Sequence, residues 1–385
     1  MQILTVDIGT GTQDIYLYDS NLDIENGYKL IVPSPTMMVH RRISEATRHG
    51  DKILLTGRLM GGGPSQWAAE NHLKAGYPIY ATEDAARSFN DDLNAIREMG
   101  IHLVDDEYPN KTASLKDAVQ IELQDFDFAT IKHTFESYGV SLDRLAAVAV
   151  AVFDHGDSPP GYSDRQFRFD YLDERIKTSN RLSAFAYRAE EIPPIMTRLK
   201  TVARSANGFD APFILMDTAP AAVLGATFDP RVAQRQRVLV ANIGNMHTLA
   251  FRLGPQGIEG VFEHHTGLLD QEALETLIRS LAAGTLTHEE VFGRHGHGAL
   301  VYLNEPFELD RGDFGIAVTG PRRNLLDGSA LRPYFTTPFG DMMLAGCFGL
   351  LAATADLLPD LQDTIMASLT ASGDSGRAPW DAPPE

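Results

Sequence analysis

The sequence predicts an α/β protein of two domains, and three observations carry that prediction. Runs rich in β-branched and aromatic residues alternate with amphipathic, helix-like segments. The pattern that opens the chain (strand, glycine turn, strand) starts again from Gln236, beyond the midpoint. The 385 residues also suffice for two domains of ordinary size, each with its own core.

The first twenty residues read as a hairpin: "ILTV", the turn "GTG", then "IYLY". From Asp51 to Gly76 the chain reads as a strand, a Gly-rich loop and an amphipathic helix with Pro64 in its first turn. A second strand follows at "PIYAT", then a helix closed by Gly100 and another strand, "IHLV". The continuous apolar run Leu145 to Phe153 predicts a strand buried on both faces, ending in the polar loop "DHGDSPPG". A proline-led stretch from Glu190 to Lys200 begins another helix, and "PFILMDTAPAAVLGAT" is strand, turn, helix.

The second half opens on "VLVANIGNMHTLAF", a glycine-turned hairpin, with "IEGVFEHH" as its third strand. Then come the helix "DQEALETLIRSLAAG", the strand, turn and helix of "FGIAVTGPRRNLL", and the apolar helix "DMMLAGCFGLLAATADLL". Residues 370–385, small, polar and proline-rich, read as a disordered tail.

Composition narrows the function classes. A formal charge of −19 repels a phosphate backbone, and no basic patch offsets it, so no nucleic-acid partner is expected. No apolar run approaches the roughly 18 residues that span a bilayer, and no secretory leader is recognisable, so no membrane partner and a cytoplasmic location are expected. The single cysteine, Cys347, cannot form an intrachain disulfide or ligate an iron–sulfur cluster alone.

Glycine-rich turns expose backbone N–H groups and permit positive φ, so the tip Gly9, Thr10, Gly11, Thr12 and Gln13 can form a concave nest for anionic oxygens. Asp7, at the end of the strand before it, points a carboxylate to the same place, suited to holding Mg²⁺ through water. Read alone, the stretch is equally an ordinary hairpin. The second hairpin, "NIGNMHT", repeats the polar residue, the glycine two places on and a later threonine.

With both hairpins in view, the order of motifs resembles the ASKHA superfamily of acetate and sugar kinases, heat-shock chaperone ATPases and actin. "DIGTGTQD" resembles its first phosphate loop, "DTAPAAVLGA" the first connecting helix and "NIGNMHT" the second phosphate loop; "VTGPRRNLL" resembles the adenosine loop and "LAGCFGLLAA" the second connecting helix. The resemblance implies a ribonuclease H-like, actin-type two-lobe α/β fold with a nucleotide cleft between the lobes, binding ATP and Mg²⁺. It divides the chain into a first lobe, 1–230, a second lobe, 231–345, and a connecting helix, 346–360. Ala221, Ala222, Gly225, Gly346 and Gly349 would let the connecting helices cross closely at a hinge, or serve as plain core packing.

Asn242 stands where the superfamily usually has an acid, so one contact to metal or water lacks its charge. A closer resemblance, carried by "MGGGP", "FNDDL", "DHG", "EHHTG" and "GHGA", is to a small prokaryotic family labelled pyruvate formate-lyase activating enzyme. One cysteine does not make the cluster motif of a radical-SAM activase, so activation of that kind would be indirect.

The resemblance implies roles for particular residues. Nucleotide contacts fall to Gly9 through Gln13, to Asn242, Gly244, Asn245, His247 and Thr248, and to Gly320, Pro321 and Arg322 of the adenosine loop, where Arg322 or Arg323 stacks on the base or reaches ribose or phosphate. Asp154 and His155, with Asp7, are the catalytic candidates, Asp157 supporting them on the substrate side; the plain alternative is that Asp154 caps a turn and His155 is exposed. Gly61, Gly62 and Gly63 bring backbone N–H groups and a helix N-terminus to an acceptor, or form a linker. His264 and His265, with His295, His297 and Glu263, make a metal site if the segments meet in space. Neighbours on a strand face opposite ways, however, so scattered structural or anion-binding histidines near the acceptor are the expectation.

The function expected is ATP-dependent phosphoryl transfer to an unknown small molecule. The alternatives are a nucleotide-driven switch that activates a partner enzyme, and a non-catalytic nucleotide binder. The kinase and the switch both require residues 9–12 and 244–248 to face each other across open space.

Overall fold

The structure, a computed structural model, describes residues 1–105, 115–309, 311–371 and 380. Most of the expected tail lies outside the described residues; Thr370 closes the last helix.

The first lobe starts with an antiparallel meander, β1 (Gln2–Ile8), β2 (Thr12–Asp19) and β3 (Tyr28–Pro33). The chain then leaves this sheet to build an inserted unit: α1 (Pro35–His49), β4 (Ile53–Gly57), α2 (Pro64–Lys74), β5 (Ile79–Thr82), β6 (His102–Val104) and β7 (Val119–Leu123). Its sheet, ordered β6-β5-β4-β7, is all parallel and has its own core around Ile43, Leu55, Ile79 and Ile121. Between β5 and β6 a single helix was expected. The chain instead forms two short ones, Glu83–Ala86 and Leu93–Glu98, because Asp92 starts the second by accepting from the Asn94 amide.

After α3 (Phe128–Ser137) the main sheet resumes with β8 (Leu145–Val152), followed by α4 (Asp164–Thr178), β9 (Ala186–Arg188), α5 (Thr197–Arg204), β10 (Phe213–Asp217) and α6 (Thr218–Ala226). Helix α5 begins only past Pro193 and Pro194, later than the sequence suggests. The sheet runs β3-β2-β1-β8-β10-β9, with β1, β8 and β10 parallel. As expected for β8, both faces are buried: Val148, Val150 and Val152 join one core, and Ala147, Ala149 and Ala151 the other. The alanines sit where helices crowd the sheet.

The second lobe repeats the scheme with β11 (Val238–Ile243), β12 (His247–Gly254), β13 (Gly257–His265), α7 (Gln271–Ala283), β14 (Gly298–Val301), β15 (Ile316–Thr319) and β16 (Pro333–Phe335). Its order, β14-β13-β12-β11-β15-β16, again places an antiparallel meander beside strands parallel to its first member. Two lobes of the same ribonuclease H-like topology make this the actin-type two-lobe fold. The helix expected after the adenosine loop is a single 3₁₀ turn, Arg323–Leu326.

Helix α8 (Ala345–Leu357) returns to the first lobe, packing Phe348 and Leu351 with Ile3, Ala147 and Ala149, and α9 (Pro359–Thr370) follows. Helices α6 and α8 cross with backbones in contact. A Cβ on Gly225 would fall on the Ala345 carbonyl oxygen, and one on Gly349 on that of Ala221. Glycine at 225 and 349 is therefore required by the approach itself. Among the described residues no helix is long and apolar enough to cross a membrane.

Candidate functional site

The two hairpins are built alike. Gly9 N–H donates to the Thr12 carbonyl at 2.9 Å, and Gly244 N–H donates to the His247 carbonyl at 2.9 Å, so Asp7, Gly9 and Thr12 correspond to Asn242, Gly244 and His247. Their tips meet: a Cβ on Gly11 would stand 2.6 Å from Asn245 Nδ2. None of Gly9, Gly11 and Gly244 has a positive φ. Close approach, rather than the left-handed backbone expected from the turns, is what calls for glycine at Gly11 and at Gly244, where a Cβ would stand 2.8 Å from the His247 carbonyl oxygen. Between and behind the tips lies an interlobe cleft of about 480 Å³.

At its base, Asp7 and Asp14 are direct cross-strand partners, so their carboxylates share one face of the hairpin. Asp7 accepts from Thr218 Oγ1 at 2.5 Å, and α8 approaches so closely that a Cβ on Gly346 would fall on Asp7 Oδ2. Burial pushes the Asp7 pKa up to about 7, the Thr218 hydrogen bond opposing and Asp217 adding. Burial, then the charge of Asp7, pushes Asp14 up to about 8. Asp14 Oδ1 is buried without a hydrogen-bond partner. Two oxygen donors, desolvated and short of positive charge, fit a hard divalent cation such as Mg²⁺. In the second hairpin the same pair of positions holds Asn242 and Leu249, so only one hairpin carries this acidic pair. The N-terminal residues of α6 (Thr218, Ala219) and α8 (Ala345, Gly346) also line the cleft, adding helix ends that favour anionic oxygens.

The wall toward the inserted unit holds the triple glycine. A Cβ on Gly61 would press on the Arg198 guanidinium, and one on Gly62 would meet the Ser88 carbonyl oxygen at 2.5 Å. Gly63 precedes α2 at φ 58 and ψ −116, a backbone that suits glycine alone. Arg198 grips Asp125 with Nε and Nη2, at 2.7 and 2.9 Å, and Asp125 also accepts from the Gly61 amide at 3.2 Å. This loop is therefore packed and hydrogen-bonded, unlike a linker.

Asp154, expected to orient a nucleophile, has both carboxylate oxygens engaged by backbone amides, Oδ1 by Gly156 at 2.9 Å and Oδ2 by Leu199 at 2.9 Å. It ties the loop to the start of α5, a positioning contact. Asp157 is exposed and lies off the cleft.

The histidines gather in an arrangement only partly expected. His155 Nε2 stands 3.2 Å from His297 Nε2, and the two rings stack at 16°. His247 stacks on Phe153 with ring centroids 4.2 Å apart and packs edge-on against His297 at 4.9 Å. Burial lowers the pKa of all three. Arg168 comes next for His155, which falls to about 3, while neighbouring imidazoles come next for His247 and His297, so all three are neutral near pH 7. His265 lines the cleft with its ring 4.6 Å from that of His297. His264, expected beside the acceptor, instead turns away, as strand alternation requires, to the backbone carbonyls of His265 and Arg294. His295 is exposed.

Beneath the cluster, Arg168 of α4 is fully buried and joins the lobes: Nε donates to Glu263 Oε2 at 2.6 Å, and Nη1 donates to Asp217 Oδ2 at 2.7 Å and to the Asp154 carbonyl at 2.9 Å. Burial opposes its charge, yet Asp217 and Glu263 hold its pKa above the ordinary value. Burial raises Glu263 to about 7.

On the adenosine side, Gly320, at φ 98, packs on Asn242 and the Ile243 carbonyl and lines the cleft with Pro321 and Met342. Three expected nucleotide contacts do not line it. Gln13 donates to the Pro33 carbonyl, Thr248 is buried against Thr266, and Arg322 is exposed. The other hairpin and adenosine-loop residues named above do line it, Asp7 included, except Arg323, the alternative to Arg322, whose Nη1 donates to the Gly320 carbonyl. Asp14, Arg168, Arg198 and Thr218 escaped the sequence reading. Asp14 alone had a local signal, since it lies opposite Asp7 when the hairpin turns between Thr10 and Gly11.

The sequence profile of the family described as "Putative pyruvate format-lyase activating enzyme (DUF1786)" matches residues 60–325, and the chain belongs to that family. No curated protein matches it. Among solved structures, a ROK family transcriptional regulator, homolog of the E. coli MLC protein, is 9% identical over 67% of this chain, which spans 37% of that protein's length, with a TM-score of 0.26. The ethanolamine utilization protein EutJ from Carboxydothermus hydrogenoformans is 11% identical over 91% of this chain and 89% of its own, with a TM-score of 0.29. An exopolyphosphatase-like protein is 8% identical over 97% and 93%, with a TM-score of 0.27. The two-lobe assignment rests on the sheet order and register.

Proposed function

We propose that this DUF1786 family member binds Mg·ATP in the interlobe cleft and transfers the γ-phosphoryl group to a small-molecule acceptor. The observation that carries the reading is the meeting of two equivalent hairpin tips, Gly11 against Asn245, over the acidic pair Asp7 and Asp14. Backbone N–H groups of the tips and the ends of α6 and α8 would hold the phosphates. Asp7 and Asp14 would hold Mg²⁺, which when bound neutralises phosphate charge. Gly320 and Pro321 leave room for the nucleoside, and the loop Gly61–Gly63, braced by Arg198 and Asp125, faces the acceptor. Phosphoryl transfer needs chiefly such positioning and charge neutralisation.

A second reading, a nucleotide-driven switch acting on a partner enzyme, draws on the buried bridge from Arg168 to both Asp217 and Glu263, which links cleft geometry to lobe contact. It also draws on Asp154, whose oxygens are held by backbone amides. The family's label would then mean indirect activation, because the sole cysteine, Cys347, is buried with Sγ donating to the Asp14 carbonyl at 3.1 Å. A binder without chemistry is favoured only by Asn242.

Calorimetric titration of Mg·ATP, with Asp7→Ala as the comparison, tests the shared premise; no binding by the wild type removes both leading readings. A metabolite screen for acceptor-stimulated ADP release then separates them. Stimulation by one acceptor supports the kinase, acceptor-independent hydrolysis the switch, and tight binding without turnover the binder.

A further inference from the structure

We propose that His155, His247 and His297 bind a divalent transition-metal ion of the Zn²⁺, Co²⁺ or Fe²⁺ kind between the lobes, in a site separate from the Asp7 and Asp14 carboxylates. One ring nitrogen from each lies within 4.8 Å of the others, and the pair His155 Nε2 and His297 Nε2 stands at 3.2 Å. Nitrogen ligands about 2.0–2.1 Å from one tetrahedral ion stand about 3.3 Å apart, so two donors already have the required spacing and the third needs a small ring movement. Imidazole nitrogen selects borderline transition ions over Mg²⁺ or Ca²⁺, which prefer oxygen.

A second, independent observation points to the same place. Glu263 Oε1 is fully buried, has no hydrogen-bond partner, and lies 3.6 Å from His297 Nε2. Its other oxygen is engaged by Arg168. In this buried group one guanidinium faces two carboxylates, Asp217 and Glu263, and Glu263 Oε1 is left without a cation. A divalent ion would meet it, with Glu263 as an outer partner or a fourth ligand.

His155 and His247 also line the cleft, so the site opens on the side where an acceptor or a water would enter. His155 belongs to the first lobe and the other two to the second, so holding the ion and holding the lobes together become linked equilibria.

The test uses untagged, metal-stripped protein titrated with Co²⁺ alone, without nucleotide, so its outcome does not depend on whether ATP binds. One equivalent is expected, with the visible absorption of four- or five-coordinate cobalt, displaced by Zn²⁺. His155→Ala and His297→Ala should each weaken binding by more than about 100-fold, and Glu263→Gln by about 10–100-fold, the range for an outer partner. His49→Ala, at an exposed surface histidine, should leave the Co²⁺ isotherm unchanged. Melting of each metal-free variant shows whether it folds; should His297→Ala fail to, His155→Ala and His247→Ala, at the half-buried rim, decide the matter. Substoichiometric uptake, weak bands of octahedral cobalt, or binding indifferent to the histidine variants would overturn the proposal.

Discussion

Gly11, at the tip of the first hairpin, leaves no room for a side chain beside Asn245, at the tip of the second; a Cβ there would stand 2.6 Å from Asn245 Nδ2. Residues far apart in the sequence thus close one end of the cleft together. The obstruction is the far end of a flexible side chain, so it is open to rescue. Gly11→Ala should weaken Mg·ATP binding about tenfold, or about 1.4 kcal/mol, by spreading the tips. Adding Asn245→Ala should restore most of it. Calorimetric titration of both single variants and the double variant gives the coupling, and additive losses would mean that the tips do not act together.

The acidic pair makes stability depend on pH and on Mg²⁺. Asp7 and Asp14 have folded-state pKa values raised from 3.8 to about 7 and about 8. A raised value means that the folded state holds protons that the unfolded state has released. The stability from this pair is therefore fully present below pH 3.8 and is lost as pH rises through about 7 to 8. At pH 8.5 the Mg²⁺-free protein should melt lower than its Asp14→Asn variant, by the equivalent of about 1–3 kcal/mol, and Mg²⁺ should raise the wild-type melting temperature more there than at pH 6. Parallel melting curves at the two pH values check it; an equal Mg²⁺ response in Asp14→Asn would contradict it.

At the crossing of α6 and α8, Gly225 faces the Ala345 carbonyl oxygen and Gly349 that of Ala221. Backbone cannot move aside as a side chain can. Gly225→Ala or Gly349→Ala should destabilise the protein by about 1–3 kcal/mol or more, through overpacking. Urea denaturation should show a lower midpoint, with the larger effect in the double variant.

Arg168 answers two buried carboxylates. Arg168→Met leaves Asp217 and Glu263 without their cation and should cost about 3–5 kcal/mol. Arg168→Lys should rescue only in part, because one ammonium lacks the fork that reaches Glu263 Oε2, Asp217 Oδ2 and the Asp154 carbonyl together. Chemical denaturation of both variants measures the difference, and full rescue by lysine would show that charge alone matters.

How much of this was legible along the chain follows from the range of each interaction. Local signals carried the hairpins, because glycine between β-branched runs turns a chain wherever it stands, and the repeated turn betrayed the second lobe. The continuous apolar run of β8 announced two buried faces, and the small residues of α6 and α8 announced a close crossing. Strand alternation likewise ruled out His264 and His265 as joint ligands.

Only the tertiary structure joined what the sequence keeps apart. His155, His247 and His297 come from a loop of one lobe, a hairpin of the other and the start of β14's strand pairing, and no spacing rule relates them. Arg168, in the first half of α4 between Phe167 and Phe169, carries no local sign of burial, and only the packing of α4 encloses its guanidinium. Asp154 lines the cleft, and only the fold shows that it also anchors its loop, because α5 brings the Leu199 amide to it. Backbone geometry and side-chain periodicity act within a few residues and so are written in order. Burial, charge pairing and convergence of ligands depend on distances through space, which a linear order does not contain.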